Sequence, residues 1–223
     1  MYRGILIACA LATAVAVAPA VRADAAKSSG LERWQAGTNY TVLATPQPPA
    51  VKRGRVVVNE VFWYGCSHCY ALDPALESWK ARKPAYIDFV RIPVIWGPTH
   101  IQHARLYYTM LELGRADLHP KIFDTIHLRG NMLAAETDEE ARELHLAFFL
   151  DNGVTEQKFN AAYESPAVLA NVQQAQTLTG RFEVASVPLI VVQGKYVTGM
   201  SLAGSEKNLF EIINDLAASE KGR

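Results

Sequence analysis

Apolar residues recur along this chain with two different periods, and the switches between them outline a fold. Tyr40-Thr-Val-Leu43 alternates briefly, as an edge strand would, before the turn-rich Thr45-Pro-Gln-Pro-Pro49. From Arg55 to Trp63 odd and even positions are both apolar, the pattern of a central strand covered on both faces. Cys66 to about Lys83 has helical spacing, with Cys69, Leu72, Leu76 and Trp79 on one stripe and Pro74 placed to kink it. Tyr86 to Ile92 returns to strand alternation and stops at Pro93.

From Thr99 to Ser165 the periodicity is helical only. Thr99-x-x-Gln102 and Thr137-x-x-Glu140 read as capping boxes, in which a hydroxyl and a side chain three residues on satisfy each other's backbone N–H groups. Ile101, Ala104, Tyr108 and Leu111 mark one face for burial; Ala141, Leu144 and Phe148 mark another. Asn152-Gly153 closes the second helix, and Thr155 opens a short one reaching Tyr163. Ser165-Pro166 starts a further helix that runs to Gly180. Pro188 to Thr198 forms a hairpin turning at Gln193-Gly194, and Ser205 caps a last helix buried through Leu209, Ile212, Ile213 and Leu216. The order is strand, strand, helix, strand, helical block, helix, hairpin, helix, without internal repeats.

The N-terminus assigns a compartment. Arg3, the apolar run Ile5 to Val17, Pro19 and the small residues of Val21-Arg22-Ala23 together read as a secretory signal peptide over residues 1–23. The run is too short for a membrane-spanning helix, which needs roughly 20 residues. Leu6-Ile7-Ala8-Cys9 imitates a lipoprotein box, but the apolar run continues past it. Residues 24–38 read as a flexible arm with Trp34 as an anchor. Cleavage removes Arg3 and Arg22 and no acid, so the 22 basic residues drop by two against 22 acidic ones. That near-neutral balance gives no reason to expect nucleic acid or an anionic membrane as partner.

Chemistry concentrates at Cys66-Ser67-His68-Cys69, which holds the only cysteines apart from Cys9. Two thiols at i and i+3 on a helix start are close enough to form a disulfide. Unpaired N–H groups and the helix dipole there favour a thiolate at the first of them. A structural zinc site would want four ligands, and the chain offers one pair, with His100-x-x-His103 far along it. A purely structural disulfide closing so short a loop removes only ~2 kcal/mol of unfolded-chain entropy. A redox dithiol is the better reading. Export shifts it from reductant towards oxidase or isomerase, because disulfides persist outside the cytosol.

The element order resembles a thioredoxin fold, α/β, with an inserted all-helical domain. Adding Cys66-Ser-His-Cys69, Val187-Pro188, Gly194-Lys195-Tyr196 and the stretch Asn152 to Tyr163, the mature chain resembles the DsbA family of periplasmic thiol:disulfide oxidoreductases. The resemblance implies a thioredoxin-like domain over 39–96 and 166–223 and an inserted helical domain over 97–165. It departs from the family's commonest dipeptide, Pro-His, in carrying Ser67. The resemblance implies a dithiol oxidase that passes its disulfide to unfolded or reduced exported proteins and is recharged by a DsbB-type membrane quinone reductase. No dissociable cofactor and no metal is implied, and a monomer is expected.

Cys66 is then the nucleophile and Cys69 the resolving thiol. His68 is placed for its imidazole to donate to the Cys66 sulfur. Glu60 is the odd polar residue of an apolar strand. It either reaches water at the strand end or is a buried carboxyl that handles the Cys69 proton. Family members carry an acid at this offset, and some pair it with a lysine on the next strand; here the nearest basic residue is Arg91. Val187-Pro188 falls where thioredoxin-like proteins carry a cis-proline, which would turn the Val187 backbone towards Cys66 to pair with a client strand. Trp63, Tyr64 and Trp96 either line a substrate groove or pack the core. His100, His103, His119, His127 and His145 read as structural or solvated. Competing readings are a disulfide isomerase or reductase and a soft-metal-binding module. Too little chain precedes the first core strand for the dimerisation domain of a DsbC-type isomerase.

Overall fold

The computed structural model describes Met1, residues 30–49 and residues 52–222. The signal segment, Cys9 and the first part of the expected arm lie outside the described residues. Five strands form one sheet: β1 (Thr41–Val42), β2 (Val56–Phe62), β3 (Ile87–Pro93), β4 (Leu189–Val192) and β5 (Tyr196–Thr198), in the order β1-β5-β4-β2-β3. β2 runs parallel to β3 and antiparallel to β4, so it lies between two partners, and every one of its residues is buried. Its apolar residues on both faces, interrupted by Asn59 and Glu60, reflect that burial.

Helices cover both sides. On one, α1 (Ser67–Arg82) and α8 (Glu206–Glu220) pack Leu72, Leu76, Trp79, Leu209, Ile212, Ile213 and Leu216 against Val56, Val58, Ile190 and Val192. On the other, α2 (Pro98–Glu112) and α6 (Pro166–Arg181) set Ala104 and Ala175 against Val61, Ile92, Val191 and Val197. Between α2 and α6 come α3 (His119–His127), α4 (Asp138–Asp151) and α5 (Glu156–Tyr163), and α7 (Met200–Ala203) is a short turn before α8. A second core joins these helices to the site: Phe62, Tyr64 and Cys69 pack with Leu106, Tyr107, Met110, Phe123, Phe149 and Phe159. This is a thioredoxin fold carrying inserted helices.

Three local expectations are corrected. Thr99 does not cap α2; Gly97 does, with Pro98 in the first turn, and Gln102 reaches instead to the Ala135 carbonyl and Asp138. The buried face of α2 is rotated from the expected one, with Ile101 and Leu111 exposed and Leu106, Tyr107 and Met110 inside. Apolar residues on both sides of the helix made the stripe ambiguous. From residue 30 on, the expected arm is tied down: Trp34 Nε1 and Arg33 Nε donate to Asp215 of α8 at 2.9 and 3.0 Å. The Thr137–Glu140 box forms as read, and α1 continues through Pro74. Gln193 and Gly194 both hold positive φ (52° and 59°), the backbone that a tight two-residue hairpin turn needs.

Candidate active site

β2 delivers the chain to Trp63-Tyr64-Gly65, and Cys66 becomes the N-cap of α1 with extended backbone (φ −87°, ψ 116°). Its N–H donates to the Trp63 carbonyl at 3.0 Å, and its Sγ accepts the Cys69 N–H at 3.4 Å. Gly65 is required here, because a Cβ would stand 2.5 Å from the Trp63 ring. Cys66 is half-buried, Cys69 is fully buried one turn further in, and both are free thiols.

The two sulfurs differ sharply. The Cys66 pKa is lowered to about 5, first by the Cys69 thiol donating to it, against the opposing effect of burial. The backbone N–H groups of Cys69 and His68 and the charge of His68 add to the lowering. The Cys69 pKa is raised, first by burial, then by its hydrogen bond to Cys66, with the Glu60 carboxylate adding. A dithiol so arranged holds its negative charge on the outer sulfur. His68 is exposed, and among the described residues no hydrogen bond joins its ring to Cys66. Its contribution is its backbone N–H and its charge, so the expected imidazole donation is corrected.

The Val187–Pro188 bond is cis, and the Val187 carbonyl oxygen lies 3.5 Å from Cys66 Sγ. Beside it runs a groove of about 390 Å³ lined by His68, Leu72, Val187, Pro188, Met200 and Glu206. The expected hairpin proline and the helix-start thiols are thus brought together.

Glu60 does not reach water; it is 2% exposed. The parallel register of β2 and β3 puts it directly beside Arg91, whose Nε donates to Glu60 Oε2 at 2.7 Å. Arg91 also donates to Asp73 Oδ1 and to Glu77 Oε1, both at 2.6 Å, and these acids sit one turn apart on α1. Three carboxylates therefore share one guanidinium. Burial raises the Glu60 pKa, opposed by Arg91 and reinforced by Asp73 and Glu77. Burial works against the Arg91 charge too, but Glu60 and Asp73 outweigh it and its pKa is raised. His119 extends the cluster: its Nε2 stands 3.3 Å from Asp73 Oδ1, and its Nδ1 is 2.7 Å from the Tyr64 hydroxyl. Asp73 and Glu77 were missed from sequence, and His119, read there as structural or solvated, joins their cluster. The available signal was an acid pair at i and i+4 on α1, with Asp73 next to the apolar stripe.

The other histidines are structural. His103 and His145 hold the Met132 and Leu133 carbonyls at 2.8 Å each. His127 holds the Tyr64 carbonyl at 2.8 Å while stacked on Tyr70, and His100 lies against Trp63. Tyr64 belongs to the core, whereas Trp96 is 46% exposed and Trp63 partly so. Among the described residues no cluster of His, Cys, Asp and Glu could hold a metal ion, and no helix is long and apolar enough to cross a membrane.

No protein-family model matches the chain. Curated relatives do. It is 34% identical over 181 residues to the thiol:disulfide interchange protein DsbA of Burkholderia cepacia, covering 81% of this chain and 82% of that one. It is 33% identical over 189 residues to the DsbA of Pseudomonas aeruginosa, covering 84% of this chain and 86% of that protein. The crystal structure of Pseudomonas aeruginosa DsbA superposes with a TM-score of 0.75 at 32% identity, covering 85% of this chain and 96% of that chain. The DsbA of Xylella fastidiosa gives the same TM-score of 0.75 at 25% identity, over 85% and 98% of the two chains.

Proposed function

Because this chain belongs to the DsbA family of thiol:disulfide interchange proteins, we propose that it donates the Cys66–Cys69 disulfide to reduced, exported proteins. It is a thiol:disulfide oxidoreductase, and the direction of transfer is carried by one observation: the Cys66 pKa at about 5 against a raised Cys69. The sulfur whose thiolate is stabilised is the good leaving group, so the reduced pair is favoured and its disulfide is oxidising.

A client thiolate attacks Cys66 Sγ, the S–S bond breaks, and Cys69 leaves as a thiolate that takes up a proton. The burial of Glu60, its raised pKa and its electrostatic effect on Cys69 support a role for it in managing that proton. A second client thiolate then attacks the client sulfur of the mixed disulfide and expels Cys66 as its stabilised thiolate. Two electrons end on the dithiol, and the client leaves with one disulfide. The Val187 carbonyl and the groove along Pro188 support an extended client backbone beside the sulfur. Recharging falls to a DsbB-type membrane quinone reductase. Removal of residues 1–23 and work in the periplasm complete the reading, with residues 97–165 as the inserted domain. No dissociable cofactor enters, since the disulfide is the redox group.

The oxidised protein, free of metal, is mixed with a dithiol peptide and the products are resolved by mass. One peptide disulfide should form per protein reduced, and equilibration with glutathione should leave the protein largely reduced. A pair that stays oxidised at equilibrium, or no transfer at all, would refute the donor role.

A further inference from the structure

Helix α3 grips the cysteine motif from both ends, through contacts that the exchange chemistry does not use. The Cys66 N–H donates to the Trp63 carbonyl at 3.0 Å and closes a β-turn with Tyr64 and Gly65 at its centre. The Tyr64 carbonyl belongs to the middle peptide of that turn, and His127 Nε2 stands 2.8 Å from it. A carbonyl only accepts, so Nε2 carries the proton and donates. The buried Tyr64 hydroxyl is held from the same helix, 2.7 Å from His119 Nδ1. On the far side of the motif, the Tyr70 ring lies flat on the His127 ring, with centres 4.7 Å apart and planes 3° apart. The Tyr70 hydroxyl donates at 2.8 Å to Asp124 Oδ1, one turn before His127 on α3. The Tyr70 N–H donates to the Cys66 carbonyl at 3.1 Å.

We propose that His127 is a positioning residue for the exchange reaction, locking the turn that presents Cys66 to the N–H groups at the start of α1. This deepens the donor reading and rests on it. The turn is one that a peptide flip can convert. Gly65 does not hold positive φ here, so the turn is not type II, which needs it at that position. Glycine takes positive φ at no steric cost, so nothing in Gly65 itself stops the Tyr64–Gly65 peptide from turning over. The hydrogen bond from His127 does, because a flipped carbonyl would point away from Nε2. Stacking on Tyr70, itself tied to Asp124, fixes the ring that makes this bond. The effect reaches the sulfur because Cys66 follows the turn directly. Its extended backbone as N-cap aims Sγ at the Cys69 N–H, 3.4 Å away. The thiolate rests on the Cys69 thiol and on the N–H groups of Cys69 and His68, so a turn free to flip weakens all three. Because α3 is one of the inserted helices, the reactivity of the thioredoxin-like core is set in part from outside it.

The test follows the Cys66 thiolate by its ultraviolet absorbance as pH is varied, in the reduced full-length protein. His127→Leu should raise the midpoint by about one unit, a partial loss of the thiolate's donors, and shift the equilibrium with glutathione roughly 10-fold towards the disulfide at neutral pH. His127→Gln, whose amide can donate to the Tyr64 carbonyl, should restore both readouts. His145→Leu should lower the urea midpoint and leave both readouts in place, since His145 holds the Leu133 carbonyl rather than the motif. Tyr70→Phe keeps the stack and loses only the Asp124 bond, so it carries the test should His127→Leu fail to fold. Its thiolate midpoint should rise by a smaller step. An unmoved thiolate midpoint in these α3-contact variants, no recovery in His127→Gln, or an equal rise in His145→Leu would overturn the positioning role, while the unsubstituted protein still oxidises a dithiol peptide. An unsubstituted protein that oxidises none would sink the donor reading and this one together.

Discussion

Reducing the Cys66–Cys69 disulfide trades a covalent link for a stabilised thiolate, and the balance should move with pH. The Cys66 pKa of about 5 lies below the ~8.5 of an unfolded cysteine. A depressed pKa stabilises the folded reduced protein fully above the unfolded value, and the contribution is lost as pH falls through the folded one. Between pH 4.5 and 7.5 the thiolate should add ~3 kcal/mol to the reduced form, and partial exposure of Cys66 to solvent cuts this to roughly half. Cys69, with its raised pKa, stays protonated in both states over this window and opposes the trend only above ~8.5. The oxidised form has no thiol to titrate and gains ~2 kcal/mol from loop closure, whatever the pH. Urea denaturation of both forms should therefore show the reduced protein gaining about 1–3 kcal/mol relative to the oxidised one across that range, the two crossing near neutrality. A flat difference, or one favouring the oxidised form as pH rises, would refute the reasoning. So would a thiolate absorbance titration near 240 nm with its midpoint above pH 7.

Other substitutions follow from the same geometry. Cys66→Ala should abolish turnover, and Cys69→Ala should collect mixed disulfides with client proteins, visible on non-reducing gels; adducts on Cys66→Ala instead would reverse the two roles. His68→Leu should raise the Cys66 pKa by less than about one unit, since it removes a solvated charge and keeps the backbone N–H, and an ultraviolet titration will show it. Arg91→Met leaves three carboxylates without their shared cation and should cost about 3–5 kcal/mol in urea unfolding, less at acid pH as Glu60, whose pKa burial raises, takes up a proton. His145, buried with its pKa pushed down to about 3, should lower stability as pH falls from the unfolded ~6.5, and His145→Gln should flatten that slope.

Local signals made much of this fold legible. β2 and the hairpin β4–β5 were readable because burial on both faces and a Gln-Gly turn write themselves into a short window. The same holds for Cys66 and Cys69, three apart at a helix start. The α2 face was not legible, since its orientation is decided by which neighbours come to lie on either side. The charged cluster is the clearer lesson. Glu60 announced itself as a polar residue in an apolar strand, but its partners come from β3, α1 and α3, and only the parallel register places Arg91 beside it. Long-range ion pairs leave no periodic trace. His68 was over-read for the converse reason: adjacency in sequence does not fix where an exposed ring points.

Arg91 also has a bearing on the outer edge of the sheet. β3 is the outermost strand of the sheet next to β2, and Val90 on it is 46% exposed. A bare outer strand reading Phe89-Val90-Xaa-Ile92 would be a template for a strand from another molecule. A charge directed inward from such a strand makes stacking in alternative registers costly, because any slip would carry the guanidinium away from its carboxylates. The arginine that balances the buried acids is thereby also the kind of inward charge that disfavours strand addition at a sheet edge.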